Sequence, residues 1–226
     1  MKTIRVIQSL LIPALAICAS GVQGATFWAD WESGSAGLDG SAVGTLNGVS
    51  VNYSGPLIPT PYTTLNGSAN VWNPSTTYTG GQIDVSPDEV GDRLSMNYSA
   101  GSTLTFSSPV ENPLIAFWSV GNPNYIVDFV FEETPTFLVG GPNGNYRGSS
   151  SIWVTGNTVS GQEGNGVVMF EGLYTSISWT STRENYYSIT LGSVSPVPLP
   201  AAAWLFLTGL LGLGGYSGLR RSRDQD

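Results

Sequence analysis

The chain has no histidine, one cysteine and one lysine, and only 11% of its 226 residues are charged, less than half the share usual in soluble domains. Each absence excludes a chemistry. Without imidazole there is no Ser-His-Asp or Cys-His catalysis and no histidine-ligated zinc. A lone cysteine, Cys18, makes no internal disulfide. Basic residues are scarce: eight stand against sixteen acidic ones, a formal net charge of −8. Nucleic acid is therefore excluded as a partner, because neutralising phosphates takes clustered Lys and Arg. What is present is apolar, at 41% hydrophobic and 11% aromatic, which is too rich for a disordered chain.

Both ends read as addresses. Lys2 and Arg5 precede an apolar stretch from Val6 to Ala19, the order of a secretory signal peptide. Val22 and Gly24 supply the small residues before a cleavage site, so residues 1–24 read as the signal and Ala25 as the mature N-terminus. Cys18 ends an apolar run as a lipobox cysteine does, but Ile17 stands where that signal has Gly, Ala or Ser. At the other end, residues 201–219 carry no charge. As a helix they would cross roughly the hydrocarbon core of a bilayer. Arg220, Arg221 and Arg223 follow at once, a basic stop-transfer cluster that puts residues 220–226 in the cytoplasm. The alternative is a buried core helix with a basic cap, which the glycines of the run would weaken.

Between the domain and this span, residues 196–200 form a Pro-rich segment that cannot continue a helix and stays extended. Val197-Pro198-Leu199-Pro200-Ala201, then Ala202-Ala203-Trp204-Leu205-Phe206, the Leu/Gly run and the arginines resemble, in that order, the PEP-CTERM sorting signal of Gram-negative bacteria. Leu199, where the common form has Glu, matches the variant named for its VPLPA motif. The resemblance implies that the precursor sits in the inner membrane by its C-terminal helix. An exosortase, a membrane-embedded cysteine transpeptidase, would then cut near the motif and leave the protein at the cell surface or in an exopolysaccharide matrix. It covers the sorting segment and leaves the task of the exported domain open.

The exported domain, residues 25–195, holds three arginines, Arg93, Arg147 and Arg183, against fourteen carboxylates, a charge of −11. Ser and Thr make up about a quarter of it, which favours strands and turns over helices. Period-2 alternation runs through residues 102–110 and 125–132, and residues 114–120 are nearly continuous, as in a strand covered on both faces. Shorter runs follow at 137–139, 152–154, 167–170, 175–180 and 187–191, separated by Gly, Asn and Pro. These spacings predict an all-β fold, an antiparallel β-sandwich of jelly-roll type. The first half predicts only one or two strands, around Val49 to Tyr53, with long loops. The runs at 105–121 and 161–177 also resemble extracellular domains of other PEP-CTERM proteins, which supports a sandwich.

Candidate sites are few. Trp28, Trp31, Tyr62, Trp72 and Tyr78 lie in the loop-rich half, where exposed rings would stack on sugars; core packing is the competing explanation. Asp84, Asp88, Glu89 and Asp92 form the densest acidic cluster, the oxygen-rich kind of loop calcium uses, or else a solvated loop. Gly161-Gln162-Glu163-Gly164-Asn165-Gly166 precedes a strand, so it reads as a hairpin turn needing positive φ rather than a phosphate loop. Glu111, Asp128, Glu132, Glu163 and Glu171 could serve a glycosidase, but no pattern pairs them. The expectation is a non-enzymatic matrix protein with no catalytic residues. A lectin-like module, with or without calcium, is the alternative, and a carboxylate glycosidase ranks third.

Overall fold

Alternation becomes strand throughout the computed structural model, which describes residues 24–67, 71–143, 150–195 and 208–209. In chain order the strands are β1 (Thr26–Trp28), β2 (Asp30–Ser35), β3 (Gly37–Leu46), β4 (Val49–Leu57), β5 (Leu94–Met96), β6 (Gly101–Glu111), β7 (Pro113–Val120) and β8 (Val127–Phe131). They continue with β9 (Thr136–Gly140), β10 (Ser150–Ser151), β11 (Trp153–Thr155), β12 (Thr158–Gly161), β13 (Gly164–Met169), β14 (Leu173–Ser181) and β15 (Tyr187–Val194). The fold is all-β. Two sheets form: one of seven strands runs β1-β15-β7-β13-β10, with β5 also on β15 and β9 also on β13. The other, of eight, runs β11-β12-β8-β14-β6-β4-β3-β2. Pairing is antiparallel except for β10 with β13, where Ser150 faces Gly164 in a parallel bridge.

The core between the sheets draws on both. Trp31, Tyr53, Leu104, Phe129 and Trp179 come from the eight-stranded sheet, and Ile115, Phe117, Val168 and Leu191 from the seven-stranded one. The alternation read over 125–132 holds from Val127 to Phe131, where Val127, Phe129 and Phe131 are buried and Asp128 and Val130 point away; Tyr125 and Ile126 precede the strand and are both exposed. β7 is buried along its whole length, as its continuous apolar run foretells. Ile115 and Phe117 enter the main core; Leu114, Ala116 and Trp118 face the other way into a second one. That second core is closed by residues 58–93, a long connection from β4 to β5. It lays Trp72, Tyr78 and Ile83 over the outer face of the seven-stranded sheet. The eight-stranded sheet carries no such cover among the described residues.

Three expectations change. The first half contains four strands before residue 58, not one or two. Its inward residues Gly40, Ala42 and Gly44 are too small to register as an apolar face, yet all are buried. The run from 161 to 166 is not a hairpin: β12 ends at Gly161 in one sheet and β13 starts at Gly164 in the other. The chain crosses between layers there, with Glu163 at φ 55° and Gly166 at φ 154°. A side chain on Gly161 would come within 2.7 Å of Val120 Cβ. The strand expected at 152–154 is shifted by one residue: Ile152 separates β10 of the seven-stranded sheet from β11 of the other.

The signal peptide (except Gly24), the sorting motif Val197 to Ala201 and the stop-transfer arginines lie outside the described residues. Of the expected membrane span, Thr208 and Gly209 alone are described, both helical and exposed. No helix among the described residues is long and apolar enough to cross a membrane.

Candidate functional site

The aromatic set expected at an exposed sugar platform is core instead. Trp31, Trp72 and Tyr78 are 0% exposed and Trp28 6%. Trp31 packs in the main core; Trp72 and Tyr78 meet edge to face in the second, 5.2 Å apart. Trp28 is pinned by its indole N–H, which donates to the Val85 carbonyl at 2.9 Å. For Trp72 and Tyr78 the physical reason is the long connection itself. Joined to the strands by a few backbone hydrogen bonds, such as Asn66 N–H to the Trp31 carbonyl, it is held down by burying large rings against an otherwise bare sheet. Tyr62 alone stays open, at 45% exposed, its ring tilted against that of Tyr186 with centroids 5.1 Å apart.

The acidic cluster is likewise put to local use. Asp84 accepts the Thr26 amide at 2.8 Å, which ties the connection to β1, and its carboxyl is held below the usual range. Burial, the largest single influence on it, pushes the other way; the hydrogen bonds from Thr26 and nearby amides together outweigh it. Asp88 sits in the 3-10 turn Pro87–Glu89, where its own amide donates to Ser86 Oγ. Asp92, 1% exposed, accepts the amides of Trp31 at 2.6 Å and Gly67 at 2.9 Å. Burial raises its carboxyl from 3.8 to about 6 against those two donors, and nearby Asp30 adds to the rise. Asp84, Asp88 and Asp92 thus face different partners. Among the described residues no group of three or more acidic or sulfur side chains stands close enough to hold a metal ion.

Sequence reasoning misses the polar knot where the layers cross. Ser119, at the end of β7, donates its hydroxyl to Glu163 Oε2 at 3.1 Å, and its amide donates to Asn165 Oδ1 at 2.9 Å. Both Ser119 and Glu163 adopt φ 55°, a conformation few non-glycine residues take. Beside them, Glu184 accepts the Gly121 amide at 2.9 Å. Burial lifts the Glu184 carboxyl from 4.5 to about 7; the Gly121 amide opposes this and the Glu163 charge adds to it. A carboxyl protonating near neutrality inside a cluster of polar groups is the kind of feature that acid catalysis uses. Their hydrogen bonds, however, fasten β7, the β12–β13 crossing and the β14–β15 connection together. Glu163 and Asn165 fall in the glycine-rich run noted in the sequence. Nothing local marks Ser119 or Glu184, since their partners lie 44 and 63 residues away.

No protein-family model matches the chain, and no curated protein or solved structure matches it significantly.

Proposed function

We propose that this is an exported, surface-sorted protein of the VPLPA-CTERM kind, and that its domain is a non-enzymatic component of an exopolysaccharide matrix. In this reading residues 1–24 direct export and residues 201–219 hold the precursor in the inner membrane of a Gram-negative bacterium. An exosortase then cuts at Val197 to Ala201. The observation that carries it is the fit between fold and addresses. The first strand starts at Thr26 and the last ends at Val194. The Ser195 amide donates to the Ala25 carbonyl at 2.9 Å, so both ends leave the domain side by side.

The domain itself we assign to the jelly-roll class. Support comes from the strand order β5-β15-β7-β13 facing β6-β14-β8-β12, with successive strands passing from one sheet to the other. Of the carboxylates that interact, Glu163, Glu184 and Asp92 each accept structural hydrogen bonds, which favours a binding or scaffolding role over a glycosidase. Cells lacking the exosortase are expected to retain the uncut protein in the inner membrane fraction, seen by immunoblot. Equal release from such cells and from the parent would refute the sorting assignment.

A further inference from the structure

The outer face of the eight-stranded sheet has an unusual composition. The register aligns Ser35, Ser41, Ser54, Thr103 and Ser178 in one row across five strands. Two residues along, Ser33, Val43, Asn52, Thr105 and Ser176 form a second row. The residues between them, such as Ala42, Tyr53, Leu104 and Ile177, point into the core, so both rows face out. At about 4.8 Å per strand each row spans roughly 19 Å. Neither row contains a charge, on a domain with fourteen carboxylates and three arginines. Adjacent hydroxyls hold one another in place: Ser35 Oγ lies 3.0 Å from Ser41 Oγ, and Thr103 Oγ1 lies 3.0 Å from Ser178 Oγ.

A second, independent feature sits at the end of these rows. A depression of about 350 Å³ opens over β6, β14 and β8, lined among others by Thr103, Ser178, Thr180, Val130 and Glu132. Gly101 at its edge presents no side chain, and Val130 is 42% exposed. The volume is that of a small-ligand site.

We propose that this face is a docking track for a neutral polysaccharide, with the depression seating one sugar ring. Charge decides the occupant. A polyanion is repelled by the domain, and a polycation would gather on its carboxylates and leave this face bare. A neutral polyhydroxyl chain matches it: each sugar hydroxyl can donate to or accept from Ser, Thr and Asn. The methyls of Thr103, Thr105, Val43 and Val130 meet the C–H faces of the rings. Glu132, the one carboxylate at the depression, accepts sugar hydroxyls. The proposal rests on the matrix reading above and moves the sugar contact from the loop aromatics to the open sheet.

The test uses the full chain in detergent, pelleted with insoluble cellulose, a β-1,3-glucan and amylose, and with calcium-gelled alginate as the anionic control. Wild-type protein is expected to pellet with at least one neutral glucan and not with alginate. Thr105→Glu and Asn52→Asp, both at exposed positions, should each weaken that binding at least tenfold. Thr105→Val, which keeps the β-branched shape, should weaken it less, and Tyr62→Ala should leave it unchanged. Far-UV circular dichroism and melting curves confirm that each variant is folded. Failure of wild type to pellet with any neutral glucan overturns the proposal. Unimpaired binding by both face variants also overturns it, while leaving a sugar site elsewhere. So does a wild-type dimer that Thr105→Glu dissociates without changing glucan binding, since the face then belongs to a second copy. None of these outcomes touches sorting, which the exosortase-deficient cells test separately.

Discussion

Asp92 and Glu184 are acids that the fold keeps protonated to unusually high pH, at about 6 and about 7 against ordinary values of 3.8 and 4.5. The folded protein therefore holds protons that the unfolded chain has already released between about pH 4 and about pH 7. Stability from these groups is full below their ordinary values and is lost as pH rises through the folded ones. Between about pH 5 and pH 8 Asp92 spans about one tenfold change in proton affinity and Glu184 about two, each worth about 1.4 kcal/mol; solvent screens half-buried Glu184, so the two together amount to about 2–3 kcal/mol. The melting temperature is expected to be roughly 4–10 °C higher near pH 5 than near pH 8. Glu184→Gln should flatten part of that slope by removing one titration. An equal or steeper slope in the variant would show that Glu184 is not its source. Neither group can be singled out from sequence. Asp92 stands there only as one of four clustered acids, and Glu184 as an isolated one, because it is burial by distant segments that raises both.

At the level of elements, the connection from 58 to 93 behaves as a lid bonded by its rings. Trp72 and Tyr78 are fully buried against Trp118 and Met169 of the sheet beneath. Trp72→Ala is expected to cost about 3–5 kcal/mol, as removal of a buried indole does. Tyr62→Ala, at an exposed ring, should cost under about 1 kcal/mol. Urea titration separates two modes of failure. A lowered midpoint with unchanged slope means lid and sandwich unfold together, and a lowered slope means the lid has already come away. Strands with large inward side chains, β6, β7, β8 and β14, are legible in the sequence because their inward Leu, Phe and Ile stand out against Thr and Ser. β3 is not, since Gly40, Ala42 and Gly44 fill most of its inward positions, and β2 is not, since Trp31 is its one buried residue. The lid aromatics are ambiguous for a related reason: rings pressed on the outside of a sheet follow no period, so burial and exposure look alike in sequence.

The whole molecule is asymmetric in two ways, in its outer faces and in its charge. One sheet wears the lid, and the other is uncharged along its two polar rows; the carboxylates on its strands, such as Asp30, Glu32, Asp39 and Asp128, stand outside those rows and share the −11 of the exported domain with the loops. With three arginines to offset fourteen carboxylates, the folded state carries net self-repulsion that dissolved salt relieves. The screening length falls to about 10 Å at 0.1 M, shorter than most separations between exposed carboxylates on such a surface. Raising sodium chloride from about 10 mM to about 300 mM should therefore raise the melting temperature by a few degrees. Calcium and magnesium chloride at matched ionic strength are expected to act alike. Asp84 and Asp92 already spend their oxygens on the amides of Thr26, Trp31 and Gly67, and a calcium ion would have to displace those bonds to gather six or more ligands. A stabilisation specific to calcium, abolished by Asp88→Asn, would overturn this argument and restore the loop from 84 to 92 as a metal site.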